Sequence, residues 1–495
     1  ELAQAGLGRE GRNSRIAHVG FYLIGKGLSE LRRLVKYKRR SAVDAACRTG
    51  RRRPFLFYFG HILAFTALVT ILIMLWCNIF THTVWVMVLS GLVIFISSSQ
   101  FAVGLVNWLA TLCVAPKLLP RMDFTKGIPS EARTLVVIPS MLSSPQVIEN
   151  LLEGLEVRYL ANQDDKLHFG LLTDFCASPS ETMPEDVNLV RLVRDGINKL
   201  NEKYPGAPSI FFLFHSSRIW NKQEQAWMGY ERKRGKIIDL NGLLRGGAAG
   251  RFSIIGGDMS ILSQIKYVIT LDADTQLPRD SARQLVETIA HPLNQPLYDK
   301  NKKTVREGYG IIQPRVEAGM AASRPSLLAQ IFASDSGIDP YTKAVTDIYQ
   351  DVFCEGSFIG KGIYDVDAFT QSLSGRLPEN LILSHDLLEG CYVRSALASD
   401  ICLYEEYPDN YITDKNRRHR WIRGDWQIIR WLFSSVPGPG GKSQANPLSW
   451  LSQWKILDNI RRSIMPLAFL VLLVVGWFML TPAWLGGLIL AGIVL

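Results

Sequence analysis

Cysteine is scarce and scattered. The seven in this 495-residue sequence stand at positions 47, 77, 113, 176, 354, 391 and 402, and no two form a Cys-x-x-Cys pair. That excludes a structural zinc site of the ribbon type and fits a reduced compartment, not a disulfide framework. No internal repeat and no cleavable signal peptide is visible. Charge is missing from four long apolar runs, at 54–80, from 84 onward, at 464–480 and from 484 to the end. Uncharged lengths near twenty predict membrane helices, with buried helices of a soluble protein as the alternative. The second run exceeds one straight span and is expected to continue or bend near Ser97 to Gln100. The chain begins at Glu1 without a methionine and stops inside an apolar run, so it is expected to be an excerpt of something longer.

The charge that is present lies beside those runs. "LRRLVKYKRRSAVDAACRTGRRRP" precedes the first, "PKLLPR" follows the second and "KILDNIRRS" precedes the third, whereas the connections "THT" and "TPA" carry none. Positive-inside bias then puts the central region in the cytoplasm. The net charge of +10 comes largely from these flanks. Lipid headgroups, and no nucleic acid, are therefore the expected partner. "GLGREG" near the start matches a dinucleotide fingerprint by letter, but it follows no strand and is discounted.

Between the apolar pairs the pattern alternates. "TLVVIPS", "HFGLLTD", "SIFFLFH", "KYVITLDAD" and "GYGIIQPRV" read as strands, separated by amphipathic helices such as "PQVIENLLEGLEVRYL". This is an α/β arrangement with a largely parallel sheet. The organisation expected is a basic juxtamembrane segment over 1–53 and two membrane helices over 54–115. A cytoplasmic domain over 116–447, an interface helix over 448–463 and two further membrane helices over 464–495 complete it.

Acids end two of the strands, Asp174 and the pair Asp272 and Asp274. Ligands of open α/β sheets sit beyond such strand ends. Alternate residues of an extended segment face one way, so the pair can share a ligand such as a divalent cation carrying a diphosphate. A polar turn is the bland alternative. Asp386, in "SHDLLEG", opens a helix and is either a cap or a general base. In "RRHRWIRGDWQ", Arg417, Arg420 and Trp421 fall on one helical face, where guanidiniums suit a diphosphate and an indole suits a sugar ring.

The order Asp174, Asp272-Ala-Asp274, Ser384-His385-Asp386, Arg417-x-x-Arg420-Trp421 resembles the processive family 2 type glycosyltransferases. Those show D, DxD, TED and QxxRW on a GT-A fold. The wording of "WMGYERKRGKIIDLN", "TLDADTQLPRDSARQLVETIAHPLNQP", "YQDVFCEGSFIGKGIYDVDAF" and "NRRHRWIRGDWQ" is more specific. It is similar to the cyclic β-1,2-glucan synthases, over nearly the whole chain. The resemblance implies a GT-A fold (Rossmann-like, largely parallel sheet) with transmembrane helices, in the bacterial inner membrane. It implies an inverting enzyme that polymerises glucose from UDP-glucose, with Mg²⁺ or Mn²⁺ as cofactor. Asp174 would lie near the nucleoside and Lys236 near the uracil. Asp272 and Asp274 would hold diphosphate and metal, with Asp274 the more direct ligand, and Asp386 would be the base. Arg417 and Arg420 would bind diphosphate; Trp421, Glu355, Gly356 and Ser357 would meet the growing β-glucan chain. The resemblance also implies that this glucan chain is attached to the protein, and that a downstream phosphorylase-like domain belongs to the full-length family members. Arg417 stands where the wider pattern has Gln, and Ser-His-Asp where it has Thr-Glu-Asp. "PSMLSS" lacks the usual acid after the first strand. The rival readings are a synthase of another β-linked polysaccharide and a catalytically silent scaffold that binds nucleotide sugar.

Overall fold

A computed structural model describes residues 2–10, 14–35, 54–76, 83–114, 116–206, 209–247, 250–319, 347–382, 385–408 and 410–479. The fourth apolar run, most of the first basic run, and Ser384 lie outside them.

Eight strands form the central sheet: β1 (Thr134–Leu142), β2 (Leu167–Phe175), β3 (Phe211–Ser216), β4 (Phe252–Gly256), β5 (Tyr267–Thr270), β6 (Ile311–Ala318), β7 (Gly362–Asp365) and β8 (Ser395–Glu405). Their order across the sheet is β8-β6-β7-β5-β1-β2-β3-β4. The β1 pairs with β2 and β5 are parallel, as are β2 with β3 and β6 with β8; β4 and β7 run against their neighbours. The result is a mixed α/β fold with a largely parallel sheet. Because β7 is antiparallel to both β5 and β6, strands β5, β6 and β8 point the same way. Their carboxyl ends therefore share one edge. The five strands expected from the sequence are β1, β2, β3, β5 and β6; β4, β7 and β8 were not anticipated.

Alternation along β1 feeds both faces. Val136 and Ile138 join one buried apolar cluster, Leu135 and Val137 the other. Helices cover these faces. The first contains α1 (Pro145–Ala161), whose N-cap Ser144 accepts from the Val147 amide and whose first position is proline. Further on are α2 (Arg232–Leu244), α3 (Ile348–Phe353), α4 (Asp386–Val393) and α5 (Tyr411–Gln427).

Among the described residues, two helices, Pro54–Trp76 and Val84–Cys113, are long and apolar enough to cross a membrane. The second runs as one element through Ser97 to Gln100. At that polar step Arg461 donates to Ser99 Oγ (3.2 Å) and Gln100 Oε1 (2.9 Å). Arg461 belongs to α6 (Trp450–Met479), a single helix that passes through residues 463 and 464 without a break and carries Pro466 inside it.

Candidate active site

The apolar run of β5 stops at Thr270, and the chain turns at once. Thr275 N donates to Asp272 O (3.1 Å), so Asp272, Ala273 and Asp274 form a turn and do not extend the strand. A helix braces that turn from outside. Arg158 of α1, buried, donates to Ala273 O (2.7 Å) and Thr275 O (2.6 Å). On the opposite side, Gln276 N donates to Tyr404 O (2.8 Å), which draws the turn against the end of β8. Glu405, the last residue of β8, thereby arrives beside the aspartate pair. Carboxylate oxygens of Asp272, Asp274 and Glu405 lie within 4.8 Å of one another.

Two ammonium groups neutralise part of that charge. Lys233 Nζ is 2.7 Å from Asp272 Oδ1, and Lys361 Nζ is 3.1 Å from Asp272 Oδ2 and also pairs with Glu405. Burial alone would raise the Asp272 carboxyl, but the two lysines outweigh it and hold it well below the usual carboxylate range. Asp274 goes the other way: burial, with Glu405 close by, pushes it up against the pull of Lys361. One member of the pair is thus an ion-paired anion and the other a carboxylate whose charge is disfavoured chiefly by burial.

Asp386 heads α4, in line with the helix expected to open at "SHDLLEG". Among the described residues its buried Oδ1 has no hydrogen-bond partner, and His385 Nε2 lies 3.4 Å away. Glu389, one turn on and buried, has its carboxyl raised, mainly by burial. Gly360 packs directly on Asp386: a Cβ there would stand 2.6 Å from Asp386 Oδ1, and its φ is +88°. Its carbonyl accepts from Lys233 Nζ (2.7 Å), the same ammonium that holds Asp272. Gly360 therefore joins the two acid clusters.

Asp174 and Lys236 are brought into direct contact. Lys236 Nζ donates to Asp174 Oδ1 (2.8 Å) and Ser140 O (3.0 Å), and both side chains are buried. Burial raises the carboxyl and lowers the ammonium, each opposed by the other. Gly229 closes over the pair, since a Cβ there would fall 2.0 Å from Asp174 Oδ2.

On α5, the Arg417 guanidinium lies 4.9 Å from the Trp421 ring and 5.7 Å from Tyr407, and donates to Asp414 Oδ1 (2.9 Å). Arg420 and Trp421 are exposed. Among the described residues, none of the three joins the acid clusters by a hydrogen bond or ion pair. Glu355 is committed elsewhere: Lys455 Nζ of α6 is 3.0 Å from its Oε1, and Arg394 is 3.4 Å from its Oε2. Gly356 O accepts from Lys455 (2.6 Å) and Ser395 Oγ (2.9 Å), and Ser357 Oγ is buried with no partner among the described residues.

No protein-family model matches the chain. The cyclic beta-(1,2)-glucan synthase NdvB of Rhizobium meliloti is 38% identical over 467 residues, which is 94% of this chain and 16% of that protein. The chain is a relative of one segment of a cyclic β-glucan synthase. It spans about one-sixth of the length of the curated relative it matches.

The residues of the site missed by sequence reasoning are Lys233, Lys361, Glu405 and Arg158. Glu405 carried a usable signal, an acid closing the alternating run "SALASDICLYE", the same signal that marked Asp174. Lys361 and Lys233 carried none, because only tertiary contacts bring them to Asp272.

Proposed function

We propose that this chain carries the glycosyltransferase step of a β-1,2-glucan synthase, building the precursor of a cyclic glucan from UDP-glucose on a GT-A type fold. The observation that supports it most is the junction at Gly360, where a carboxylate suited to proton removal adjoins an acid cluster suited to a diphosphate. The donor set fits a hard divalent ion, Mg²⁺ or Mn²⁺, since Asp272, Asp274 and Glu405 offer three carboxylates close together. What such an ion supplies when bound is positive charge at the leaving diphosphate.

The chain's own residues do the rest. Asp386 takes the proton of the attacking 2-hydroxyl of the acceptor onto its carboxylate. As that oxygen bonds to the anomeric carbon, the bond from this carbon to the phosphate oxygen breaks, and UDP leaves without needing a proton. One in-line displacement turns the α linkage of the donor into a β product. Arg417 and Arg420 pair with the diphosphate, and Trp421 offers its face to the glucan. Asp174 and Lys236 shape the nucleoside end. Glu355, Gly356 and Ser357 act from behind the acceptor side. The growing chain, attached to the protein, and a downstream phosphorylase-like domain are the partners this reading carries. The membrane is bacterial and inner, with the catalytic region in the cytoplasm.

The test is radiolabelled UDP-glucose with Mg²⁺ given to the detergent-purified chain and to Asp386→Asn. The expected result is label in β-1,2 linkages, reduced about 100- to 10,000-fold in the variant, with UDP binding retained. Equal incorporation by both would remove Asp386 from the reaction.

A further inference from the structure

Lys361 is placed oddly for a residue that only binds an anionic donor. Its ammonium sits among the carboxylates, against Asp272 Oδ2 and Glu405, and its side chain is only 12% exposed. The contacts are those a divalent cation would seek. Both carboxylates that Lys361 holds belong to the group of three whose oxygens converge.

Charge counting sharpens the point. With every group ionised, Asp272, Asp274 and Glu405 contribute three negative charges, and Lys233 and Lys361 two positive ones. One negative charge remains. A divalent cation entering alone would invert that sign and would meet Lys361 on the same oxygens. A cation entering with a doubly negative diphosphate would leave the sum unchanged, and the diphosphate would give the displaced ammonium a new partner.

We infer that Lys361 is a specificity-determining counter-cation, competing with a divalent ion for Asp272 and Glu405 so that the ion is held tightly only with a nucleoside diphosphate. This rests on the donor-site reading above. The neighbouring Lys233 does not duplicate the role, because it holds the other oxygen of Asp272 and the carbonyl of Gly360. Among the described residues, Arg158 donates only to backbone carbonyls of the turn. The site therefore couples ion and diphosphate through one side chain, and that coupling is reciprocal.

Mn²⁺ binding reads this directly, without turnover. Free Mn²⁺ would be followed by electron paramagnetic resonance during titration of the full chain in detergent, with and without UDP. The wild type is expected to bind Mn²⁺ weakly alone and more tightly with UDP. In Lys361→Met the affinity without UDP should rise on the order of tenfold, and the gain from UDP should shrink. Lys361→Gln carries the same expectation should the Met variant not fold, and Lys361→Arg, which keeps the charge, should behave as wild type. An affinity without UDP that is unchanged or lower in folded Met and Gln variants overturns the inference while leaving the donor site standing. A wild-type protein that takes up no Mn²⁺ even with UDP removes the donor-site reading, and the inference with it.

Discussion

At the scale of single residues, Gly360 shows how little room the site leaves. Its φ of +88° disfavours any side chain, and a Cβ would press on the Asp386 carboxylate. Gly360→Ala is expected to lose about 1–3 kcal/mol of stability from the backbone alone. It should also lower kcat more than it weakens UDP binding, as thermal unfolding and steady-state kinetics in detergent would show. Unchanged kcat would detach Gly360 from the proposed role of Asp386. The acids at Asp174, Asp272 and Asp274 were legible because an apolar strand that stops on a carboxylate is conspicuous in sequence. Lys233 and Lys361 were not. A lysine in "ERKRGK" or "FIGKG" looks like any surface lysine until register and loop path bring it to an aspartate many residues away.

At the scale of elements, caps and helix ends set the charge states. Asp347 caps α3, accepting from the amides of Tyr349 (2.8 Å) and Gln350 (3.4 Å), and burial pushes its carboxyl up to about 6. Its unfolded value is about 3.9. Between those values the folded chain keeps a proton that the unfolded chain releases. The stabilisation is therefore complete below about pH 4 and lost as pH rises through 6. Asp347→Asn, which keeps the cap, should flatten the fall in unfolding temperature between pH 4 and pH 6; an unaltered slope would assign that fall to other groups. Helices and strands were readable where period and length agreed, as in α1 and β2. The short antiparallel β7 was not, because "GIYD" gives four residues and no alternation to count, and β4 is nearly as brief.

At the scale of the whole molecule, two apolar helices precede the α/β region, and basic segments flank them. The proposed cytoplasmic placement makes a simple forecast. Protease added to inverted inner-membrane vesicles should digest the region 116–447, and the same protease outside intact spheroplasts should spare it. Digestion from the outside would reverse the orientation. The sheet's outline was legible from five strand patterns. The meeting of β5 with β8 was not, since it depends on a crossover order that local sequence does not encode. That is why Glu405 entered the site only with the structure.

Lys455 has a bearing on where this protein can be cut. Its ammonium, 1% exposed, reaches from α6 into the α/β region to hold Glu355 and the Gly356 carbonyl. A hydropathy plot invites excision of a water-soluble piece ending near residue 447. Such a piece would abandon Glu355 with Arg394 as its remaining cation. Losing one partner of a buried pair costs about 3–5 kcal/mol, a large share of an ordinary domain's stability. A fragment ending at 447 is expected to aggregate or unfold at a lower temperature, and one extended through residue 463 to recover. The sheet's foundations, in effect, are poured in α6.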